Sequence, residues 1–354
     1  MLGHFKFILN SVAYGLAAAL VIVILTPQLR SNLDIASFTD NVISPNAMSF
    51  AYAVKQAAPA VVNIYSVSIE RNNLSQQQVI NDLGSGVIMS RNGHILTNYH
   101  VVDDAELIRV DLQDGRSLNA EVLGLDRVTD LALLKIDAEN LPVVPQDPEL
   151  EAQVGDIVLA IGNPFNLGQT ITQGIISATG KRGRDQRTSH SELIQMDAAI
   201  NVGNSGGALV NSQGKLVGIN AGVQRGTQGI YYAIPYKLTK SIMEKLLADG
   251  EVKRGYLGLN GTPINHMGVP VRSSVDSIAG IKLTNVDPLG PAWNAGLQTG
   301  DVLLSFDGKQ LISYEHLLAL VESIEPGEVI EIQLSRNSKL LTKLVNVGRL
   351  ETSN

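Results

Sequence analysis

The sequence predicts a mainly β protein with two folded modules behind an apolar N-terminal segment. Three observations carry that prediction. Glycine occurs 33 times in 354 residues and the apolar content is rich in Val and Ile, a composition of short strands and tight turns. Short apolar runs recur between residues 61 and 220, separated by Asn92-Gly93, Asp114-Gly115 and similar signals that supply positive φ in hairpin turns. One periodic helix follows, and beyond it residues 255–350 read as a second small module of strands and two helices.

The first element is the stretch Phe7 to Leu25, apolar except for Asn10 and Ser11. As a helix it covers roughly 30 Å, enough to cross a bilayer's hydrocarbon core. Lys6 and the α-amino group precede it, favouring a cytoplasmic N-terminus. An uncleaved anchor and a cleaved signal peptide are the two readings. The stretch exceeds a usual signal core and no A-x-A site follows Leu25, so the anchor is preferred. Either way the rest of the chain lies outside the cytoplasm. Residues 1–30 are assigned to a cytoplasmic stub and transmembrane anchor, and the polar, aperiodic residues 31–50 to a tether.

Residues 51–60 read as a short helix ended by Pro59. Strand-like runs follow at Val61–Val67, Gly86–Ser90, His94–Asn98, Ile108–Leu112, Leu131–Ile136, Ile157–Gly162, Thr170–Ala178, Ala208–Val210 and Leu216–Asn220. Many short strands at this spacing suggest a barrel or a sandwich. Pro235 to Gly250 is the one clear helix. Leu238, Ile242, Leu246 and Leu247 give its apolar stripe, and Gly250 stands where a C-cap belongs. The expected modules are 51–252 and 253–354.

Composition excludes several functions. With no cysteine there is no disulfide framework, thiolate zinc site or cysteine nucleophile. A net charge of −7 argues against nucleic acid as a partner. The histidines lack metal-ligand spacing and no glycine run has a phosphate-loop pattern, so no metal and no cofactor is expected.

The most informative run is Gly203-Asn204-Ser205-Gly206-Gly207-Ala208-Leu209. A serine nucleophile needs an exposed Oγ and backbone N–H groups aimed at a developing oxyanion, and small neighbours let a scissile carbonyl approach. A glycine-rich turn is the plainer reading of this run alone. His100 ends a strand-like run and Asp130 precedes another, which gives the order His, Asp, Ser along the chain. In a barrel-forming chain three loops in that order can meet in one cleft. His100 would take the Ser205 proton, Asp130 would hold the imidazole, and the N–H groups of Gly203 and Ser205 would form the oxyanion hole.

Gly84-Ser85-Gly86-Val87-Ile88, TNYHVV (97–102), DLALLKI (130–136), AIGNPF (160–165), QTITQGIIS (169–177), QMDAAINVGNSGGAL (195–209) and AIPY (233–236) together resemble the HtrA family of trypsin-like serine proteases. The resemblance implies a double six-stranded β-barrel, a site between the barrels, ATP-independent cleavage and assembly as a homotrimer. Phe50 and Tyr52 are the aromatics available for trimer contacts, unless they pack locally. Residues 255–350 resemble the family's α+β PDZ domain. Tyr256, Leu257 and Gly258 match its loop for a peptide's terminal carboxylate, and the incoming peptide then adds as a strand. The run from Val286 to Leu303 matches that module's core. Ser313 reads as the N-cap of a helix carrying Leu317, Leu320, Val321 and Ile324, a groove wall or simply core.

One membrane segment, one PDZ module and a short insertion at 70–83 resemble the membrane-anchored, signal-initiating branch of the family. That branch implies an inner-membrane protein facing the periplasm. C-terminal peptides of unfolded outer-membrane proteins bind its PDZ domain, and it cleaves a membrane anti-sigma factor (RseA-like) to start the sigma-E envelope stress response. A constitutive quality-control protease and a non-catalytic PDZ chaperone are the alternatives. Residues 181–192, with Lys181, Arg182, Arg184 and Arg187, are either a solvated basic loop or a regulatory loop that re-aims the backbone near Gly203. The family's acidic partner for it has no counterpart in the middle of the PDZ helix, which leaves Glu315 or Glu322. Val202 stands where some relatives carry a polar side chain. Ile200, Ile219 and Ala221 flank the expected primary pocket, where the absence of an acid disfavours a Lys or Arg preference and the family implies small apolar residues such as Val.

Overall fold

The computed structural model describes Tyr14–Gly15 and residues 49–351, apart from 73–74, 164–167, 183–191, 224–228, 266–268 and 271–278. Its contacts divide the chain into two compact units, Met1–Tyr52 and Ala53–Asn354. Most of the expected anchor and tether lies outside the described residues. Among the described residues no helix is long and apolar enough to cross a membrane. In the first unit the Ser49 hydroxyl accepts from the Ala51 N–H, and Tyr52 is exposed.

The second unit opens with the remainder of helix α1 (Ala51–Ala57) and a 3-10 turn that holds Pro59. Six strands then close into a barrel: β1 (Val61–Asn72), β2 (Ser75–Ile88), β3 (His94–Thr97), β4 (Leu107–Asp111), β5 (Ser117–Asp126) and β6 (Leu131–Lys135). Their order is β1-β2-β3-β6-β5-β4, sealed where β4 pairs with β1. Closure leaves no open sheet edge. A second barrel repeats the plan with β7 (Ile157–Gly162), β8 (Thr170–Arg182), β9 (Glu192–Met196), β10 (Ala208–Asn211), β11 (Leu216–Val223) and β12 (Tyr231–Pro235), sealed by β7 and β10. These are two barrels rather than a sandwich.

Their interiors are Val, Ile and Leu. Ile64, Ile88, Ile95, Leu131 and Leu133 fill the first, and Val158, Ile176, Met196 and Leu209 the second. In β6 Leu131 to Leu134 are all buried, without alternation. One face points into the barrel while helix α2, the short turn Tyr99–Val102, and helix α3 (Tyr236–Asp249) pack on the strand. Helix α3 ends as the sequence predicts, with Gly250 left-handed at φ 74° and its N–H on the Leu246 carbonyl. Ile242 and Leu246 face the core, whereas Leu247, expected in the apolar stripe, is exposed.

The remaining strands form the second module. Strand β13 (Gly255–Tyr256) pairs with β20 (Gly348–Arg349). A larger sheet runs β14 (Leu259–Ile264), β15 (Gly280–Val286), β16 (Val302–Phe306), β18 (Val329–Arg336), β19 (Lys339–Asn346), with β17 (Lys309–Gln310) beside β16. Helices α4 (Pro291–Asn294) and α5 (Tyr314–Ser323) complete it. The Ser313 hydroxyl caps α5 by accepting from the His316 N–H at 3.0 Å, as expected. Leu317 and Val321 are core, packed with Phe306 and Ile332, and Leu320 is partly buried against them. Those two residues therefore fill the core instead of lining a groove.

In the expected short insertion, residues 70–72 and 75–83 form the far end of the β1–β2 hairpin, whose register runs on to Asn72 opposite Ser75. Two expectations are corrected. His100 does not end a strand, because β3 stops at Thr97 and the chain turns into α2. Lys181 and Arg182 are not loop residues either. They extend β8 opposite Leu193 and Glu192, since backbone pairing continues past the apolar run. Arg184 and Arg187 lie outside the described residues.

Candidate active site

His100 owes its position to α2. Asn98 is extended at φ −79° and ψ 147°, and the turn after it puts His100 on the side facing the β5–β6 connection. In that connection Asp130 is buried and left-handed at φ 58°, a conformation that costs a non-glycine residue energy and persists only where contacts hold it. The contacts are specific. The Asp130 carbonyl accepts from the Tyr99 N–H and the Asn98 Nδ2, each at 3.0 Å. Its carboxylate accepts from the His100 N–H at 3.0 Å through Oδ1, and Oδ2 lies 2.7 Å from His100 Nδ1. One carboxylate thus fixes both the backbone and the ring of His100. A proton on Nδ1 leaves Nε2 as the free base.

Ser205 sits in the turn before β10. Gly203 has φ 100° and Gly206 has φ 80°. At Gly206 the requirement is also spatial. A Cβ there would lie 2.2 Å from the Ser85 carbonyl oxygen, 2.3 Å from Thr97 Oγ1 and 3.2 Å from the Asn98 nitrogen. The residue after the serine therefore touches the chain two residues before His100. Gly222, in a β11 bulge, would put a Cβ 3.3 Å from Ser205 Oγ. Among the described residues the N–H groups of Gly203 and Ser205 have no hydrogen-bond acceptor, whereas those of Asn204, Gly206 and Gly207 are paired. Two such donors on either side of Asn204, one of them the serine's own, are of the kind an oxyanion requires.

Of the other expected site residues, Ile200 and Ile219 are fully buried in the second barrel, and Ala221 is half-buried. Val202 is exposed. In the second module the Leu257 carbonyl accepts from Ala292 at 2.9 Å and the Gly258 carbonyl from Asp287 at 2.7 Å. Gly258 is left-handed at φ 72°. Among the described residues the Leu257 and Gly258 N–H groups have no acceptor. The Tyr256 hydroxyl donates to Asp287 at 2.7 Å, and that bond, with burial, raises its pKa.

The two modules of this unit are joined by a buried ion pair. Arg254, one residue before β13, donates through both terminal nitrogens to the Asp126 carboxylate, 2.7 Å each. Asp126 also accepts from Thr129, next to Asp130. Sequence reasoning missed this pair and the roles of Ser85, Thr97, Asn98 and Gly222. The only available signal was that Ser85, Thr97 and Asn98 lie inside motifs already singled out. No cluster of His, Asp or Glu arranged to hold a metal occurs among the described residues.

Comparison with known proteins agrees with this geometry. A trypsin-like peptidase domain model matches residues 84–219 and a PDZ domain model residues 255–347. The serine endoprotease DegS of Escherichia coli K12 is 44% identical, covering 98% of this chain and 99% of its own. DegS of Haemophilus influenzae is 41% identical over 95% and 96%. The periplasmic serine endoprotease DegP of Escherichia coli K12 is 41% identical, but the match covers 76% of this chain and 57% of DegP. Among solved structures, the serine endoprotease from Yersinia pestis superposes with a TM-score of 0.71 at 45% identity, covering 86% of this chain and 99% of that one. The HtrA-type protease AlgW with a decapeptide gives 0.76 at 38% identity, covering 86% and 100%.

Proposed function

The chain belongs to the HtrA family of serine endoproteases, and from that premise we propose that it is a peptide-activated periplasmic protease that initiates an envelope stress signal. The observation that carries the reading is the extent of the match: DegS relatives align over nearly their whole length and this chain's, and DegP over little more than half of its own.

In the proposed chemistry His100 Nε2 takes the Ser205 proton as Oγ attacks the scissile carbonyl. Asp130 keeps the proton on Nδ1 and stabilises the imidazolium that forms. The Gly203 and Ser205 N–H groups receive the oxyanion. His100 then protonates the leaving amine, and water repeats the sequence to release the acyl group. Ile200, Ile219 and Ala221 are assigned to a pocket for a small apolar side chain, the first two as its buried floor.

Residues 253–354 are assigned to peptide sensing and 51–252 to cleavage. The free N–H groups of Leu257 and Gly258 suit a terminal carboxylate, as the PDZ loop of the family requires. C-termini of unfolded outer-membrane proteins are the proposed ligands and an RseA-like anti-sigma factor the proposed substrate. The protein is placed in the inner membrane through Phe7–Leu25, as a homotrimer. Exposed Val154, Ile157 and Ile175 on the second barrel are consistent with assembly. Lys181, Arg182, Arg184 and Arg187 are proposed to relay the bound state toward Gly203, a shift between populations.

Ser205→Ala tests the chemistry. It should abolish cleavage and leave peptide binding intact, and residual cleavage would exclude Ser205 as nucleophile. Deleting residues 255–354 tests the regulation and should raise basal activity. Unchanged basal activity, with no response of the full chain to C-terminal peptides, would mean a constitutive enzyme.

A further inference from the structure

The Ser205 turn is held by a residue from the other barrel. Ser85 lies in β2, fully buried, and all its polar groups are engaged. Its N–H donates to the Ser205 carbonyl at 2.8 Å. Its hydroxyl donates to the Gly203 carbonyl at 2.7 Å and accepts from the Asn163 N–H at 3.0 Å. Its carbonyl accepts from Thr97 Oγ1 at 2.7 Å. One residue thus grips the carbonyls of both Gly203 and Ser205, the two residues of this turn whose N–H groups have no acceptor among the described residues. The side chain of Asn204, between them, contributes no hydrogen bond among the described residues.

We propose that Ser85 is a positioning residue for the oxyanion hole, acting through its hydroxyl on the Gly203 carbonyl. This rests on the assignment of Ser205 as nucleophile and of the Gly203 and Ser205 N–H groups as oxyanion donors. The physical reason is the planarity of the peptide. Fixing a carbonyl fixes the plane that contains it, and so the dihedral at the adjoining Cα. The Ser85 hydroxyl fixes the plane after Gly203, and the Ser85 N–H fixes the plane after Ser205. Between them lies the plane that carries the Ser205 N–H. Gly203, at φ 100°, has no Cβ to restrict it, so without the hydroxyl the plane after it shifts, and with it the next plane, which carries the Ser205 N–H. A donor that swings must be reoriented in each turnover, and the benefit of preorganisation is lost.

The test is steady-state kinetics of the full-length protein on a fluorogenic peptide with valine before the scissile bond. Inhibition by the matching valine boronic acid, whose tetrahedral adduct places an oxygen in the hole, is measured alongside. Losing an oxyanion donor outright costs about 10²–10³ in kcat. Ser85→Ala should therefore lower kcat by about 10- to 100-fold with KM within about twofold, and raise the boronate Ki in parallel. Ser85→Cys keeps the volume and a weak donor and should lose less, and it also serves if the alanine variant does not fold. Thr239→Val removes another buried hydroxyl, one that donates to the Pro235 carbonyl at 2.7 Å. It should lower the melting temperature comparably and leave kcat alone. The proposal is overturned if the Ser85 variants keep parental kcat, if they change only KM, or if Thr239→Val loses kcat equally. Ser205→Ala run in parallel separates the two failures: if it still cleaves, the nucleophile assignment fails, and if it is dead while Ser85→Ala is parental, only this inference fails.

Discussion

Arg254 and Asp126 form a pair whose contribution can be predicted from geometry. Both are more than nine-tenths buried, and the guanidinium meets the carboxylate through two parallel bonds of 2.7 Å. Removing one partner strands a charge where water cannot reach it, at a cost of about 3–5 kcal/mol. Arg254→Met and Asp126→Leu should each cost that much. In a unit of this size, that lowers the melting temperature by about 6–20 °C. The double variant removes both charges and fills the space with apolar atoms, so it should recover most of the loss. The assay is urea unfolding followed by two probes. Trp293, the sole tryptophan, lies in α4 of the second module, and far-UV dichroism is dominated by the barrels. Coincident transitions license the cycle; divergent ones locate the damage in one module. The reasoning fails if each single variant costs under about 1 kcal/mol, or if the double variant loses the sum of both.

Other substitutions probe the site itself. Asp130→Asn should lower kcat about 10⁴-fold by favouring the wrong imidazole tautomer, with dichroism unchanged because the Asn98 and Tyr99 bonds go to the main-chain carbonyl. Gly206→Ala should abolish activity and destabilise by about 2–5 kcal/mol, combining a positive φ with a Cβ forced onto Ser85 and Thr97, as checked by thermal unfolding. For His94, burial and then the charge of Lys135 lower the pKa from 6.5, while the ring holds Ser90 at 2.8 Å. The unfolded chain then binds that proton more readily. The contribution is complete above the unfolded-state value and is lost as pH falls through the folded one. The stability gap between parent and His94→Gln should therefore be constant from about pH 7.5 to 9 and shrink toward pH 5.

The candidate trio of His100, Asp130 and Ser205 was legible because the proposed chemistry demands particular residue types in a particular order. Gly250 and Ser313 were legible because helix ends demand particular caps. Strands β5, β9 and β12 were not. In β5 the residues Ser117 to Val122 are largely exposed, so the strand carries no apolar alternation until Gly124 and Asp126 turn inward. The other two are five residues long and hold their places through barrel closure. Such strands are specified by their neighbours' unpaired backbone rather than by their own side chains. The same holds for Arg254 and Asp126, which are 128 residues apart, so nothing local in the sequence marks them as partners.

The contacts around Ser205 also decide where this site could be switched. Gly206 is held by its N–H on the Asn220 carbonyl at 2.8 Å, and the Ser85 carbonyl and Thr97 leave no room for a side chain there. The planes after Gly203 and Ser205 are gripped by Ser85. On the near side of Gly203 the restraint ends: Val202 is exposed on a turn, and the N–H that follows it has no acceptor among the described residues. The Val202–Gly203 peptide can therefore rotate as a plane, by opposite changes in ψ of Val202 and φ of Gly203, without breaking any hydrogen bond recorded for the turn. Rotation there would turn away one proposed oxyanion donor and leave the hydrogen bonds between Asp130 and His100 in place. A regulator needs only to favour one of two orientations of a single peptide, and a bias of about 1.4 kcal/mol changes their ratio tenfold. Control of this one peptide would thus be energetically inexpensive in this architecture, because Ser85 grips the planes that follow it.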